Sequence, residues 1–395
     1  MKKWAGLITA VLSACPWFYL LLSGQAFPPV GEALATGMAI IGSAFLLSWV
    51  AEVAQLEIPK SLAVALVAIV AVLPEYAVDM YLAGKAGRDP GFIPYVIANM
   101  TGANRLIIGV AWPSVAFLWW VSSKKKSFTI NEHHSFEFIL LFFVTLYAFL
   151  LPFLHHLSLL EGGVFVAVFL FYLWRVSKGE VEEPELEGAS ERIEALPRLQ
   201  RWVVISAIFF FSSLTIVTAA KPFADSLIQT GKMMHISGFL LIQIFAPLAS
   251  ETPEFMVAGI LAFTGNPNLG FATLLASKLE QWTLLVGMIP FVYGISLVTG
   301  GHPLQPLPFD PRQSEEIFLT AAQSLFALTL VIDFDLSLGD AALLFFLYIP
   351  EYFLPGIVER EWYAVGFLVL TAGVCLFKKD QFKKFREHFK IFRQG

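Results

Sequence analysis

The sequence predicts an all-α polytopic membrane protein: two inverted five-helix repeats with one extra helix at each end. Three observations carry this. The 395 residues are 57% hydrophobic and 14% charged, with recurring apolar stretches near the roughly 20 residues a helix needs to cross a bilayer. Second, Pro74-Glu75-Tyr76-Ala77-Val78 returns ungapped as Pro253-Glu254-Phe255-Met256-Val257, and 253−74 and 254−75 both give 179. The same offset pairs Leu82-Ala83 with Leu261-Ala262 and Gly91-Phe92 with Gly270-Phe271. That makes seven identities in the 19 positions from 74 to 92, as an internal duplication would leave. Third, each copy holds an odd number of crossings, which forces the second copy into the membrane upside down.

Twelve helices are predicted, over residues 4–24, 30–56, 60–86, 91–121, 136–156, 159–176, 201–220, 236–264, 269–299, 317–332, 338–356 and 362–377. The offset maps 136–156 onto 315–335 and 159–176 onto 338–355. The chain therefore divides into residues 1–29, an N-terminal helix or signal segment; 30–176, the first repeat; 177–200, a linker; 201–356, the second repeat; and 357–395, a C-terminal helix with a basic tail. At the N-terminus, Leu12-Ser13-Ala14-Cys15 resembles a lipoprotein signal and Gly24-Gln25-Ala26 could serve an ordinary signal peptidase. A retained helix is expected, because the apolar run continues through Pro16-Trp17-Phe18-Tyr19-Leu20 to spanning length.

Orientation follows from the basic residues. Lys2-Lys3, Lys124-Lys125-Lys126, the segment carrying Arg175, Lys178, Arg192, Arg198 and Arg201, and the cluster from Lys378 to Arg393 all fall on one side of a twelve-helix chain. The positive-inside rule makes that side cytoplasmic, and a plasma or inner membrane is expected. The run from Gly179 to Glu187 is acidic and reads as a hydrated linker, since it lacks the alternating ligands and glycine turn of a calcium loop. In the tail, Phe382, Phe385, Phe389 and Phe392 recur at helical spacing among lysines and arginines, as in a basic amphipathic helix on the inner leaflet. Cys15 and Cys375 both lie in apolar runs and imply neither a disulfide framework nor a metal knot. The net charge of −5 averages over loops on both sides.

Ionisable residues inside apolar runs are the informative exceptions, because charge in hydrocarbon is costly unless it meets a cavity, a partner or an ion. Glu75 and Asp79 are four apart, and Glu251 and Glu254 three apart, so each pair shares a helical face. Pro74 in the first copy, and Pro247 and Pro253 in the second, remove backbone donors and are expected to break the helix, freeing carbonyls. Four carboxylates beside helix breaks make a hard, oxygen-rich site for a cation such as calcium or sodium. Asp79 and Glu251 have the alternative of sitting near the interface or pairing with lysine.

The next helix of each copy is also polar: Asn99-Met100-Thr101-Gly102-Ala103-Asn104-Arg105 and Ser277-Lys278-Leu279-Glu280-Gln281-Trp282-Thr283. By the offset, Asn99 matches Lys278, Gly102 matches Gln281 and Asn104 matches Thr283. On an unbroken helix Asn99 and Asn104 stand about 140° apart and Lys278 and Glu280 about 200° apart, so a break at Gly102 would be needed to bring the first pair together. Lys278 either salt-bridges a carboxylate of the site or pairs structurally within the bundle. In the first case its fixed charge takes the electrostatic place of a monovalent ion. Glu280, Gln281 and Thr252 are further candidates for tuning the site.

A Pro-Glu in each half, followed in the first half by Asn-x-x-Gly-x-Asn, resembles the alpha repeats of the calcium/cation antiporter superfamily, typified by sodium/calcium exchangers. The likeness covers roughly residues 65–120 and 244–295. It implies a ten-helix inverted core with a cytoplasmic central linker, Glu75 and Glu254 as the paired calcium-binding carboxylates, and Asn99, Gly102 and Asn104 as the second-helix motif. Members usually carry Gly-Thr-Ser-Leu before Pro-Glu, where this chain has Val70-Ala71-Val72-Leu73 and Ala249-Ser250-Glu251-Thr252. Gln281-Trp282-Thr283 replaces Gly-Ser-Asn, and Ile107 and Val286 stand where an amide or acid ligand is usual. These departures imply weakened sodium sites.

The function so implied is secondary-active antiport of calcium, or another cation, against sodium or protons by alternating access. Ions competing for the same carboxylates would each favour reorientation of their own loaded state. The partners are the lipid bilayer and inorganic cations, with no cofactor, no nucleic acid and no signal for an oligomeric state. Two rivals remain: a degenerate, non-transporting member acting as sensor or scaffold, and an intramembrane enzyme. The enzyme is disfavoured because His133-His134 and His155-His156 fall at helix ends and neither His-Glu-x-x-His nor Gly-x-Ser-x-Gly occurs.

Overall fold

The computed structural model describes residues 2–25, 27–58, 72–178, 186, 189–354 and 356–378. Most of the acidic run and the tail phenylalanines fall outside these residues, as do Val70 and Ala71. Among the described residues nine helices are long and apolar enough to cross a membrane. Two compact units form, one from Met1–Leu82 with Leu170–Pro253 and one from Ala83–Phe169 with Glu254–Gly395. Each takes helices from both sequence repeats.

The first unit begins with α1 (Lys2–Ser13) and α2 (Cys15–Ser23), separated at Ala14 where Pro16 opens the new helix. They pack on α3 (Pro29–Glu57), and a Cβ on Gly42 would fall 1.9 Å from Ser13 Oγ and 2.5 Å from the Ala10 carbonyl. Helix α4 follows at Leu73–Ala86. A short α10 (Ser190–Glu194) lies in the predicted linker, where Ile193 is buried with Val50, Val53, Ala54 and Ile205. That part of the linker is packed. Helix α11 runs from Arg198 to Met234, 37 residues, or about 55 Å at 1.5 Å per residue. The sequence reading ended this helix at residue 220, before Pro222. Membrane helices tolerate proline, and the polar groups beside it are paired: Lys221 Nζ lies 3.0 Å from Asp225 Oδ2, and Tyr81 donates to Asp225 Oδ1 at 2.6 Å. Helix α12 (Gly238–Thr264) continues through Pro247 and Pro253, so these prolines leave the helix unbroken.

In the second unit α5 (Ile93–Leu106) passes through a π-helical turn, Ile107–Ala111, into α6 (Trp112–Ser123). Helix α13 (Pro267–Glu280) does the same through Gln281–Leu285 into α14 (Val286–Thr299). Between them in sequence come α7 (Ser135–Ala148), α8 (Leu150–Leu154) and α9 (Leu159–Val176). After α14 come α15 (Pro311–Leu330), α16 (Leu338–Tyr348), a 3₁₀ turn over Ile349–Phe353, and α17 (Ile357–Phe377). Helix α15 starts six residues before its predicted start at 317, because Asp310 and Gln313 close a capping box there.

Two short strand pairs expose the internal symmetry. Strand β1 (Ser127–Thr129) pairs antiparallel with β4 (Asp335–Ser337), and β2 (His156–Leu157) with β3 (Leu307–Pro308). Adding 179 to Phe128 gives Leu307, and subtracting it from Leu336 gives Leu157. The pair Phe128↔Leu336 is thereby carried onto Leu307↔Leu157, which is the observed register. Thr129↔Asp335 is carried in the same way onto Pro308↔His156. A capping contact repeats too: Ser158 N donates to Glu161 Oε2 at 2.8 Å, and 179 residues later Ser337 N donates to Asp340 Oδ2 at 3.2 Å. Exchanging the repeats exchanges the sheets, as a pseudo-two-fold relation requires.

Helices α9 and α14 cross at small residues, as membrane helices do where backbones approach closely. A Cβ on Gly287 would meet the Gly162 carbonyl at 2.8 Å and Val166 Cγ2 at 2.8 Å, and one on Gly162 would meet the Gly287 carbonyl at 2.7 Å. Because backbone cannot step aside as a side chain can, Gly287→Val is expected to destabilise the detergent-purified protein by about 1–3 kcal/mol. A thermal melt unchanged from wild type would contradict this close crossing.

Candidate cation-binding site

Glu75 and Asp79 are both buried on α4. In α12, Glu251 is fully buried, and Thr252 is half-buried with its hydroxyl turned back onto the Leu248 carbonyl. Glu75, Asp79 and Glu251 belong to the first unit. Pro247 and Pro253 have no N–H to offer the carbonyls of Gln243 and Ala249, so acceptor capacity is released inside a continuous helix. Glu254 is half-buried, and its Oε2 is buried without a hydrogen bond among the described residues. Among those residues no group of three or more His, Cys, Asp and Glu side chains is placed to hold a metal ion.

Glu254, Asn99, Asn104, Lys278, Glu280 and Gln281 belong to the second unit, and all but Glu254 are buried. The structure brings Asn104 and Lys278 together. Lys278 Nζ donates to Asn104 Oδ1 at 2.7 Å and to the Asn104 carbonyl at 2.9 Å, and stands 5.0 Å from the centre of the Trp282 ring. Asn104 is held in turn by Nδ2 donating to the Met100 carbonyl at 2.9 Å. No break occurs at Gly102, which lies within α5; the irregular turn follows Asn104 instead. Gln281 opens the matching π turn, and neither its amide nitrogen nor its oxygen has a hydrogen bond among the described residues. Thr283 is spent on its own helix, donating to Leu279 O at 2.5 Å.

The π turns also revise the register of the repeat here. Asn104 stands three residues before the turn at Ile107, and Lys278 three before the turn at Gln281. Counted from the turns, Lys278 is the counterpart of Asn104 and not of Asn99. The 179 offset relates α4 to α12 and, again, the two strand pairs; between them it falls to 174, because the chain from α4 to α5 is longer than that from α12 to α13, and it returns because the chain from α14 to β3 is longer than that from α6 to β1.

The sequence reading missed one buried ionic cluster entirely. Arg105, fully buried, bonds Glu316 and lies 3.6 Å from Glu351 Oε2. Arg360 of α17 reaches Glu315 Oε2 at 3.0 Å and Glu316 Oε1 at 2.7 Å, and donates to the Glu351 carbonyl at 2.5 Å. Arg312 adds contacts of 2.7 Å to Glu316 Oε1 and 3.4 Å to Glu315 Oε2. Three guanidiniums balance three carboxylates. The signal was the Asp310-Pro-Arg-Gln cap, which places Glu315 and Glu316 inside a helix rather than in a loop.

Duplicated, proline-flanked acids and paired π turns within an inverted helical repeat define a membrane exchanger, a transporter rather than an enzyme. The profile of the family described as Sodium/calcium exchanger protein matches residues 28–178 and 204–350, and the chain belongs to that family. Among solved structures it is similar to the H+/Ca2+ exchanger CAX, with 36% identity, a TM-score of 0.91 and 99% of each chain covered. Native YfkE matches at 14% identity and TM-score 0.59, covering 93% of this chain and 100% of that one. The sodium-calcium exchanger NCX_Mj, soaked with 2.5 mM Na+ and 0.1 mM Ca2+, matches at 15% identity and TM-score 0.54, covering 83% and 98%. These last two are likenesses of fold. No curated protein sequence matches the chain.

Removing one member of a buried ion pair leaves its partner's charge uncompensated, at a cost of about 3–5 kcal/mol. Arg105→Met is therefore expected to lower the melting temperature sharply, while Arg198→Met, whose arginine pairs with Glu57 from an exposed position, shifts it little. Equal melting temperatures for the two variants would remove the buried cluster from any role in stability.

Proposed function

We propose that the protein is a secondary-active antiporter exchanging calcium against protons or sodium by alternating access, with Glu75 and Glu254 as the carboxylates that bind the transported cation. The observation that carries the reading is the similarity along 99% of the chain to the H+/Ca2+ exchanger CAX. The buried, offset-matched Pro-Glu pairs support it. Two ionised carboxylates neutralise a divalent ion, and the same groups hold protons when it has left, so the two loads exclude each other. Asp79, Glu251, Asn99 and Asn104 would supply further oxygens, with Thr252, Glu280 and Gln281 adjusting them. Residues 30–176 and 201–356 are the two repeats, joined by a cytoplasmic linker over 177–200 between the N-terminal segment 1–29 and the C-terminal segment 357–395. The C-terminus is cytoplasmic and the membrane an inner or plasma membrane.

The experiment is calcium uptake by proteoliposomes under separately imposed proton and sodium gradients. Uptake driven by either gradient is expected, and its absence under both would overturn antiport. Glu75→Gln and Glu254→Gln should each abolish uptake in folded protein, because each removes a charge that offsets a dehydrated divalent ion. Near-normal flux in both variants would reject these carboxylates as the binding groups. Introduced cysteines near Arg88 should label from outside and near Asn266 from inside, and labelling from one side would reject the assigned orientation.

A further inference from the structure

We propose that Asp225 is a positioning residue for the transported cation: by accepting the Tyr81 hydroxyl it fixes the rotation of α4 about its own axis, and so aims Glu75 and Asp79. Asp225 itself touches no ion in this scheme, and its role rests on the antiport reading above.

Helix α4 has two faces with different tasks. Leu73 and Ala77 pack against Leu47 and Ala51 of α3 and Ile216 of α11. Tyr81 continues that row, since residues four apart share a helical face, and its hydroxyl donates to Asp225 Oδ1 of α11 at 2.6 Å. Glu75 follows Leu73, and Asp79 follows Ala77, by two residues, about 200° round the helix. The row that grips α3 and α11 and the row that carries the acids therefore lie on opposite sides of α4. All of these residues belong to the first unit.

The contacts along the gripping row differ in kind. Apolar contact is non-directional, so Leu73 and the small Ala77 hold α4 against its neighbours and still let it turn. A hydrogen bond weakens steeply with angle, and one made to a carboxylate is shorter and roughly twice as strong as a neutral one. The 2.6 Å separation at Tyr81 is in that class. Asp225 is oriented in turn by Lys221, one helical turn back, whose Nζ lies 3.0 Å from Oδ2. Lys221 is exposed, and exposed pairs contribute little, so the Tyr81 bond is the one that resists rotation. The consequence at the ion is large. A turn of about 20° moves a group at the outer radius of a helix, about 5–6 Å from its axis, by about 2 Å. Calcium–oxygen distances span only about 2.3–2.6 Å, so such a turn takes a ligand away. In the second repeat the 179 offset places Ile260 opposite Tyr81; its side chain cannot donate, so this tie belongs to α4.

The test measures calcium affinity of the full-length protein in detergent by calorimetry and calcium uptake in proteoliposomes. Tyr81→Phe and Asp225→Leu each lose the bond, and each is expected to raise the dissociation constant and the half-saturating calcium concentration by about tenfold. Maximal uptake should change little, since the acids themselves remain. The double variant should be no weaker than either single one, because both act through one bond. Asp225→Asn keeps an oxygen acceptor without the charge and Lys221→Met removes the ion pair, so both should stay within about threefold of wild type. Unchanged affinity in folded Tyr81→Phe overturns the proposal. A weakening in Asp225→Asn that Tyr81→Phe does not share also overturns it, making Asp225 a collector of cations by its charge. Should Asp225→Leu fail to fold, Tyr81→Phe, which removes a single oxygen, decides. Wild type that binds calcium and transports none would instead sink the antiport reading, with the affinity comparison still judging Asp225.

Discussion

A charge placed in hydrocarbon costs several kcal/mol unless a partner, water or an ion meets it, and the buried side chains of this protein are arranged around that penalty. Arg105, Arg312 and Arg360 are matched by Glu315, Glu316 and Glu351 with contacts mostly near 3 Å. Lys278 donates to both oxygens of Asn104. The polar groups beside Pro222 in α11 follow the rule as well, with Lys221 and Tyr81 both meeting Asp225. The acids beside Pro74 and Pro253 are the ones proposed above to bind the transported cation.

The duplication supplies the second constraint. Because the 179 offset carries one strand pair onto the other in register, and one capping contact onto the other, the repeats agree in backbone as well as in sequence pattern. They differ at Asn104 against Lys278, and at Arg105 against Leu279, at the same distance from the π turns.

The helical class, the duplication and the acids beside Pro74 and Pro253 were legible because each leaves a local mark: apolar runs, an ungapped match and a charge where none is affordable. The strand pairs and capping boxes were equally present as Ser158-Leu-Leu-Glu161 and Ser337-Leu-Gly-Asp340, but weak identity hides them until the backbone displays them. Helix ends were misjudged where polar residues looked like loop. Glu315 and Glu316 were placed outside a helix because their partners, Arg105 and Arg360, are 211 and 45 residues away. Counted from the π turns, Lys278 falls opposite Asn104 rather than Asn99, because the connection from α4 to α5 is longer than that from α12 to α13 and lowers the offset from 179 to 174.

The crossed strand pairs carry a consequence for assembly of the chain. Strand β1 lies in the first repeat and its partner β4 in the second, and β2 and β3 are joined the same way. The first repeat therefore leaves the ribosome with unpaired strand edges, and these must stay open until more than a hundred further residues have been made. Contacts of such long sequence separation form late and slowly, since loop closure must precede their reward. During that interval the exposed backbone is a target for mispairing. A second copy of the same repeat would satisfy those edges as well as the covalently joined one does, with β1 of each meeting β4's equivalent in the other. The arrangement is thus that of a symmetric dimer of single repeats whose two halves have been fused into one polypeptide, and the fusion turns a concentration-dependent encounter into an intramolecular one.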